Sequence, residues 1–174
     1  MTDSVPAPIF QLVYVSDVSP VAALTLEATM HEILLVSHRR NGADRITGLL
    51  ISNGAWFVQM LEGEENAVRA CYARIEADVR HAAPTVRLLR PVAERQYSRW
   101  SMCGLTLSSL EDQLLGAPDI ALDIRQMASG ALTAMLKRVA HRYGAELDSL
   151  HASLGAEVAA TRDWAQGGGP PRWA

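Results

Sequence analysis

The sequence predicts an α+β fold in which five strands form one mixed sheet, with two helices on one face and further helices at the C-terminus. Three observations predict this fold. Up to residue 107, short runs rich in β-branched and aromatic residues alternate with two helical apolar stripes. Asn53-Gly54 separates two apolar runs, as in a β-hairpin. Beyond residue 108 the chain is rich in Ala and Leu and has the periodicity of helices.

The first four elements follow from the residue pattern. Residues 8–16 carry apolar side chains on both faces, which is typical of a central strand that other elements cover. A helical stripe follows, and Pro20 suits its first turn. The apolar runs around Asn53-Gly54 predict antiparallel strands joined by a two-residue type I′ turn. The predicted elements are, in order, a strand, a helix and two strands over residues 8–16, 21–38, 45–52 and 55–62.

The second half of the sheet domain contains a helix and two more strands, predicted over residues 65–80, 85–93 and 98–107. The resulting order, β-α-β-β-α-β-β, is that of a ferredoxin-like sandwich with one extra strand. The chain then divides into a flexible N-terminus, the sheet domain, a helical extension and a flexible tail, at residues 1–7, 8–107, 108–164 and 165–174.

The helical extension is predicted to contain helical segments over residues 107–116, 119–130 and 131–165. The last of these is expected to be one long helix with an apolar stripe from Leu132 to Leu154. Such a stripe has to be covered, so we expect it to pack on the sheet or on a neighbouring subunit.

Composition and charge exclude several classes of protein. Apolar residues make up 49% of the 174 residues and charged residues 20%, which excludes a wholly disordered chain. The formal net charge of −3 argues against a general nucleic-acid-binding face, because phosphate binding needs a basic patch. The first residues lack the pattern of a signal peptide, and no apolar run reaches the roughly 18 residues of a membrane span. We therefore expect a soluble, cytoplasmic protein without direct membrane or nucleic-acid partners.

The two cysteines do not predict a metal site or a disulfide framework. Cys71 and Cys103 have no CxxC spacing and no nearby histidine. Free cysteines are among the most buried residue types, so both are expected to be small core residues. No metal ligand set is predicted.

Two polar residues in predicted core strands need hydrogen-bond partners. Gln59 lies in the apolar run AWFVQMLE, and a buried amide carries two donors and two acceptor lone pairs. Its partner could be backbone at a bulge or edge, or a bound ligand. Tyr14 poses the same question on the first strand, where a backbone partner is the simpler interpretation. If the two strands are neighbours, Tyr14 and Gln59 could pair.

The remaining candidates have ordinary structural interpretations on their own. Cations at the end of the first helix suit the helix dipole, and Asn41 before Gly42 could be a left-handed helix cap. Arg74 and Asp78 have the spacing of a surface ion pair on a helix. Trp100 and Met102 are two apart in the last predicted strand, so they should share one face and pack in the core.

Together these residues resemble a BLUF domain, a blue-light sensor that binds flavin. The resemblance spans residues 8–107 and follows the family's order of motifs. It is carried by LVYVS at 12–16, SHRRNGADRITGLL at 37–50, FVQMLEG at 57–63, ARIEADVRH at 73–81 and RWSMCGLTL at 99–107.

The resemblance implies a role for each candidate. Tyr14 matches the family's photochemical tyrosine and Gln59 the glutamine between that tyrosine and the flavin ring. The ring would lie between the two helices, with its polar edge addressed by Ser37, Arg40, Asn41, Arg74 and Asp78 and its faces covered by Ile33 and Ile75. Trp100 and Met102 match the residues that relay a change in Gln59. The cofactor is expected to be FAD, with FMN or riboflavin as alternatives.

The implied function is that of a blue-light photoreceptor with no enzyme of its own. Light would drive electron and proton transfer from Tyr14 and a rearrangement of the Gln59 hydrogen bonds. The helices after residue 108 would pass the change to a separate effector protein, and the chain would form a homodimer or a larger homo-oligomer. Three alternatives are a flavin-dependent redox enzyme, an interaction module without light signalling, and an acyl phosphatase. The loop DVSP lacks the phosphate-binding arginine that the last of these needs.

Overall fold

A computed structural model describes residues 7–107 and 123–165 of the chain. The strands are β1 to β5, at Ile9–Val18, Thr47–Ser52, Trp56–Gly63, His81–Val92 and Cys103–Thr106. The helices of these ranges, α1 to α5, are Pro20–Leu24, Leu26–Asp44, Glu65–Glu76, Ser129–Arg142 and Gly144–Ala165. Parts of three predicted segments lie outside the described residues. They belong to the N-terminus, the first extension helices and the tail, at residues 1–6, 108–122 and 166–174.

The five strands form one mixed sheet in the order β4-β1-β3-β2-β5. β1 pairs antiparallel with both β3 and β4, and β2 pairs antiparallel with β3 and parallel with β5. Close backbone packing at β2 requires glycine, since a Cβ on Gly48 would lie 2.0 Å from the carbonyl oxygen of Met60. The predicted α+β, ferredoxin-like class with an extra strand is confirmed.

The sheet carries a separate apolar cluster on each face because side chains alternate along a strand. Leu12 and Tyr14 of β1 belong to the cluster that includes residues of α2 and α3. Val13 and Val15 belong to the cluster that includes residues of α4 and α5. The C-terminal stripe is therefore covered by the sheet of the same chain. Its fully buried members on that face are Leu132, Met135, Leu136, Val139 and Leu147.

The first predicted helix is two helices. α1 begins after Ser19, whose hydroxyl accepts the Ala22 amide at 3.3 Å, and Pro20 occupies its first turn. Thr25 then leaves helical geometry, with φ −134° and ψ 46°. α2 continues past the predicted end at residue 38 and past Asn41. Its C-terminal cap is Arg45, which has the left-handed conformation with φ 55°. The prediction that Asn41 caps the helix is wrong.

The hairpin between β2 and β3 has a longer loop than predicted. Three residues, 53–55, join the strands, and within the loop positive φ is found at Gly54, with φ 92°. The Asn53 side chain accepts from the Ala55 amide at 3.0 Å and so stabilises the turn from within. Because a type I′ turn needs positive φ at two successive residues, that prediction is wrong.

Other boundaries shift where tertiary contacts override local pattern. α3 ends at Glu76, four residues early, and β4 begins at His81, four residues early. β5 begins only at Cys103. Residues 123–128 are turn rather than helix, and the predicted long helix is broken at Tyr143, with φ −112°. Within the described ranges, no helix is both long enough and apolar enough to cross a membrane.

Candidate functional site

A buried pair of polar side chains joins the two central strands. Tyr14 lies directly opposite Gln59 in the antiparallel pairing of β1 and β3. The Tyr14 hydroxyl donates a hydrogen bond of 2.6 Å to Gln59 Oε1, and both side chains are buried. The pairing that the sequence left open is therefore formed. Burial raises the pKa of Tyr14 well above its usual value, so the phenol holds its proton.

The other end of the Gln59 amide contacts the segment before β5. Its Nε2 donates to the Met102 sulfur at 2.9 Å. The amide is thus bonded at both ends, with oxygen towards β1 and nitrogen towards β5. A change in the hydrogen bond at one end of the amide must also change the hydrogen bond at the other end, because the amide is one rigid planar group.

A cleft of about 550 Å³, including its open mouth, lies beside this pair and is lined by residues of α2 and α3. All eight residues assigned to cofactor binding line it. They are Ile33, Ser37, Arg40, Asn41, Gln59, Arg74, Ile75 and Asp78. Tyr14 is not among the lining residues and is fully buried. Gln59 therefore connects the cleft with a tyrosine that the cleft itself does not expose.

Asn41 has a buried donor that needs a partner from outside the chain. Its side chain is 2% exposed, and its Oδ1 accepts a weak bond from the Cys71 thiol at 3.6 Å. Its Nδ2 is buried and has no hydrogen-bond partner among the residues that the structure describes. An unpaired buried donor costs about 1–3 kcal/mol, so its retention beside a cleft points to a ligand acceptor.

The charged side chains at the mouth pair differently from the prediction. Arg74 bonds Asp44 of α2, with Nη2 to Oδ2 at 2.9 Å, and Asp78 bonds Arg80, with Oδ2 to Nη2 at 2.6 Å. The predicted Arg74–Asp78 pair is not formed because α3 ends before Asp78. Burial raises the pKa of Asp78, but the Arg80 hydrogen bonds outweigh it and hold that pKa below its usual value.

His81 lines the cleft and was given no role by the sequence. Its Nδ1 lies 2.9 Å from Ser16 Oγ, and its ring packs 4.6 Å from that of Phe57 and 5.9 Å from that of Tyr14. Burial lowers its pKa to about 4. The histidine is therefore neutral at pH 7. The position of His81 at the end of the motif RIEADVRH was the feature that could have identified it. The sequence alone, however, does not show which face of the sheet the first residue of a strand occupies.

Glu62 is a second functional side chain that the sequence did not single out. It is fully buried, and its carboxylate accepts from Gln11 Nε2 and from the amides of Gln96 and Tyr97, each at 2.8 Å. The bonds from the Gln96 and Tyr97 amides hold the segment that leads to Met102 against β3, whereas the Gln11 bond joins β1 to β3. The position of this charged residue within an otherwise apolar strand was the feature of the sequence that could have identified it.

Trp100 and Met102 lie on opposite faces of the sheet, so the prediction of a shared face is wrong. Met102 belongs to the cluster of Tyr14, whereas Trp100 packs in the cluster under α4 and α5. The Trp100 indole donates to Asp148 Oδ1 of α5 at 2.9 Å. Strand alternation does not apply because β5 begins only at Cys103. Of the two, Met102 is the one that contacts Gln59.

The cleft suits a flat ring with a polar edge. Aliphatic Ile33 and Ile75 line it, and Asn41, Gln59 and Arg74 supply amide and guanidinium groups. The unpartnered Asn41 Nδ2 would be satisfied by a ring carbonyl. In the described ranges, no cluster of three or more His, Cys, Asp or Glu could hold a metal ion. The residues present therefore fit the isoalloxazine ring of a flavin.

Comparison with known proteins identifies the family to which the chain is similar. Residues 9–103 match the family model of BLUF, sensors of blue-light using FAD. The photoactivated adenylate cyclase subunit beta of Euglena gracilis is 35% identical over 119 residues, which is 67% of this chain and 13% of that protein. The chain thus spans a small part of such curated relatives.

Two solved structures have the same fold. The dark-state structure of BlrB, a BLUF protein, superposes with a TM-score of 0.59 at 30% identity, over 76% of this chain and 94% of that one. The photo-activated state of BlsA gives a TM-score of 0.66 at 23% identity, over 75% and 93%, and supports the fold alone. Since the family model matches more than half of the residues, this chain belongs to the BLUF family of flavin-binding blue-light sensors.

Proposed function

We propose that this chain is a hydrogen-bond photoswitch in which Gln59 links a flavin in the cleft to the segment before β5. The observation that supports it is the continuous chain from Tyr14 Oη to Gln59 Oε1, 2.6 Å, and from Gln59 Nε2 to Met102 Sδ, 2.9 Å. The family's BLUF domain is a photosensor module and not itself catalytic.

The residues would hold FAD by its ring. Asn41, Ser37, Arg40, Arg74 and Asp78 address the polar edge, while Ile33 and Ile75 cover the faces. When bound, the flavin absorbs blue light and becomes an oxidant strong enough to draw an electron from a nearby phenol. Tyr14 is that phenol, and its raised pKa keeps its proton on the bond to Gln59 Oε1 in the dark. A proton leaving Tyr14 along this bond arrives at the Gln59 amide.

The two ends of the Gln59 amide have unequal partners, which gives the switch its direction. The Met102 sulfur can accept a hydrogen bond but cannot donate one. With Nε2 towards Met102, both ends of the amide are bonded. With the amide reversed, Oε1 faces a sulfur that offers it no proton, and Met102 loses its partner. The dark arrangement is thus the more stable one, and the lit arrangement releases Met102.

Release of Met102 provides the output. Met102 directly precedes β5, and its neighbours Trp100 and Cys103 both bond to α5, through Asp148 Oδ1 and the Leu147 carbonyl at 2.9 and 3.1 Å. We propose that a shift of this segment alters the α4–α5 surface that a separate effector protein or a second copy of the chain recognises. The cyclase named in the curated relatives belongs to those longer proteins.

Absorption spectra of the flavin-loaded protein before and after blue light test the proposal. We expect a small red shift that relaxes in darkness, and its loss in Gln59→Leu. Gln11→Leu is the matched control, because Gln11 is also a buried glutamine of the sheet but bonds Glu62 away from the cleft. A persistent shift in Gln59→Leu, bleaching to reduced flavin, or failure to bind flavin would contradict the proposal.

A further inference from the structure

Ser101, between Trp100 and Met102, is held by two histidines from different helices. Its amide donates to His151 Nε2 of α5 at 3.2 Å. Its Oγ lies 3.1 Å from the same nitrogen and 3.3 Å from His38 Nδ1 of α2. The two rings pack with centroids 4.5 Å apart. We refer to His38, Ser101 and His151 as the histidine clamp.

The hydrogen bonds of the clamp fix the protonation of His151. A backbone N–H can only donate, so His151 Nε2 must carry a lone pair and the ring must be neutral with its proton on Nδ1. A protonated ring would place a second N–H against the Ser101 amide. The bond would then be lost and replaced by a repulsive contact.

The surroundings of the clamp also disfavour a positive charge on either ring. Burial lowers the pKa of His38 and of His151, and each ring is close to the other. Asp148, three residues before His151 on α5, acts in the opposite sense on His151, but its carboxylate is shared with Arg99 at 2.8 Å and with the Trp100 indole. Elsewhere between α2 and α5, His31 Nε2 lies 3.0 Å from Glu157 Oε2.

We propose that the histidine clamp positions Met102 against Gln59 and that it holds the segment on α5 only while His151 is neutral. The proposal rests on the proposed photoswitch and extends it, because it makes the release of the segment depend on protons as well as on light. Ser101, His38 and His151 are positioning residues, and none of the three is among the residues that line the cleft.

The first test needs no light. Nitrogen-15 NMR of the dark protein reads the tautomer and the pKa of each histidine, and amide exchange reads the protection of Ser101. We expect His151 to carry its proton on Nδ1 and to titrate below its ordinary pKa. His151 has to lose its proton to accept from the Ser101 amide. The protection factor of Ser101, which is its exchange rate relative to that of an unstructured chain at the same pH, should therefore fall by up to about tenfold per pH unit below about 6.5. An Nε2–H tautomer, or a protection factor independent of pH, would overturn the proposal.

Substitutions separate the clamp from general packing. His151→Gln offers an amide oxygen to the Ser101 N–H and does not titrate, so it should keep Ser101 protected and remove most of the pH dependence. His151→Phe should lose the protection at every pH. His141→Gln removes an exposed histidine on α4 and should leave the wild-type profile unchanged. Equal profiles in the wild type and His151→Gln would contradict the clamp.

The light response then distinguishes this inference from the photoswitch. We expect dark recovery of the wild type to change between pH 7.5 and pH 5.5, and His151→Gln to flatten that change while keeping the red shift. If no red shift occurs but Ser101 exchange follows the histidines, the photoswitch proposal fails and the positioning role stands. A red shift whose recovery has the same pH profile in the wild type and in His151→Gln would overturn the coupling and leave the photoswitch intact.

Discussion

The two faces of the sheet are built for different tasks. The face under α4 and α5 is closed by large apolar side chains that are fully buried, such as Leu132 and Met135. The face under α2 and α3 has comparable apolar residues at its base, but it also has the cleft, a buried donor without a partner at Asn41 and a buried histidine. One face is closed by apolar packing, and the other leaves one polar group of the described residues, Asn41 Nδ2, unsatisfied where a ligand can satisfy it.

The segment before β5 lies between these faces and connects them. Met102 takes part in the cleft face and Trp100 in the closed face, although the two are separated only by Ser101. In the proposed photoswitch, a change in Gln59 would reach the closed face through this segment without crossing the sheet itself. The contrast between the faces predicts that substitutions on one should alter stability and those on the other should alter flavin binding.

The largest effect is expected on the closed face. Leu132→Ala removes a fully buried side chain beneath α4 and should lower the free energy of unfolding by about 3 kcal/mol, since it leaves a cavity. Denaturant titration measures the loss, and the flavin spectrum of the folded variant should match that of the wild type. A changed flavin spectrum with an unchanged free energy of unfolding would contradict the claim that the two faces have different tasks.

Acid should destabilise the cleft face through His81. Its pKa is lowered to about 4 in the folded protein, so the unfolded chain takes up a proton that the folded one does not. Stability is complete above about pH 6.5 and should fall by about 3 kcal/mol as the pH drops towards 4. Unfolding measured across this range should show the slope, and His81→Gln should remove the share of His81 while leaving that of His38 and His151, whose pKa values burial also lowers. If the slope is equal in both proteins, groups other than His81 cause the loss of stability in acid.

Asn41→Leu should separate stability from binding. The change removes an amide whose Nδ2 is unpartnered, so the free energy of unfolding without flavin should stay equal or rise. Flavin affinity, measured by fluorescence titration, should fall about tenfold, which is the loss of about one good hydrogen bond. A less stable apoprotein that binds flavin as tightly as the wild type would show that Asn41 serves the fold.

The smallest effect is expected from Arg74→Ala. Its ion pair with Asp44 is about 40% exposed on both sides, and pairs of this kind contribute at most about 0.5–1 kcal/mol. Any larger consequence should appear in flavin affinity, because Arg74 lines the cleft. Asp44→Ala is the paired control, since it removes the same ion pair without removing a lining residue. Identical flavin affinities in the two variants would remove Arg74 from the ligand contacts.

What the sequence could predict depended on regular alternation. Tyr14 and Gln59 lie well inside long strands, where a period of two holds, but their pairing stayed open because it depends on which strands are neighbours. Trp100 and Met102 lie outside a strand, where that period has no meaning. The helix break at Thr25 has no glycine or proline beside it, whereas the break at Tyr143 is followed by Gly144, a signal that the prediction of one long helix disregarded. Asn41-Gly42 does carry a stop signal, yet tertiary packing extends α2 over it.

The partners of the site residues were less predictable than the residues themselves. Arg74 and Asp78 both line the cleft as expected, but each bonds a residue other than the one its spacing suggested. His38 and His151 are 113 positions apart, and only the docking of α5 beside α2 brings them together. Contacts between elements distant in sequence depend on docking geometry, which local pattern does not encode.

The central claim is that light reverses the hydrogen bonds of the Gln59 amide. Light-minus-dark infrared difference spectra of the flavin-loaded protein, with the glutamine side-chain carbonyls labelled with carbon-13, observe that amide directly. We expect a difference band that shifts with the label, is present in the wild type and in Gln11→Leu, and is absent in Gln59→Leu. A light response without any label-sensitive band, or one that survives in Gln59→Leu, would contradict the account.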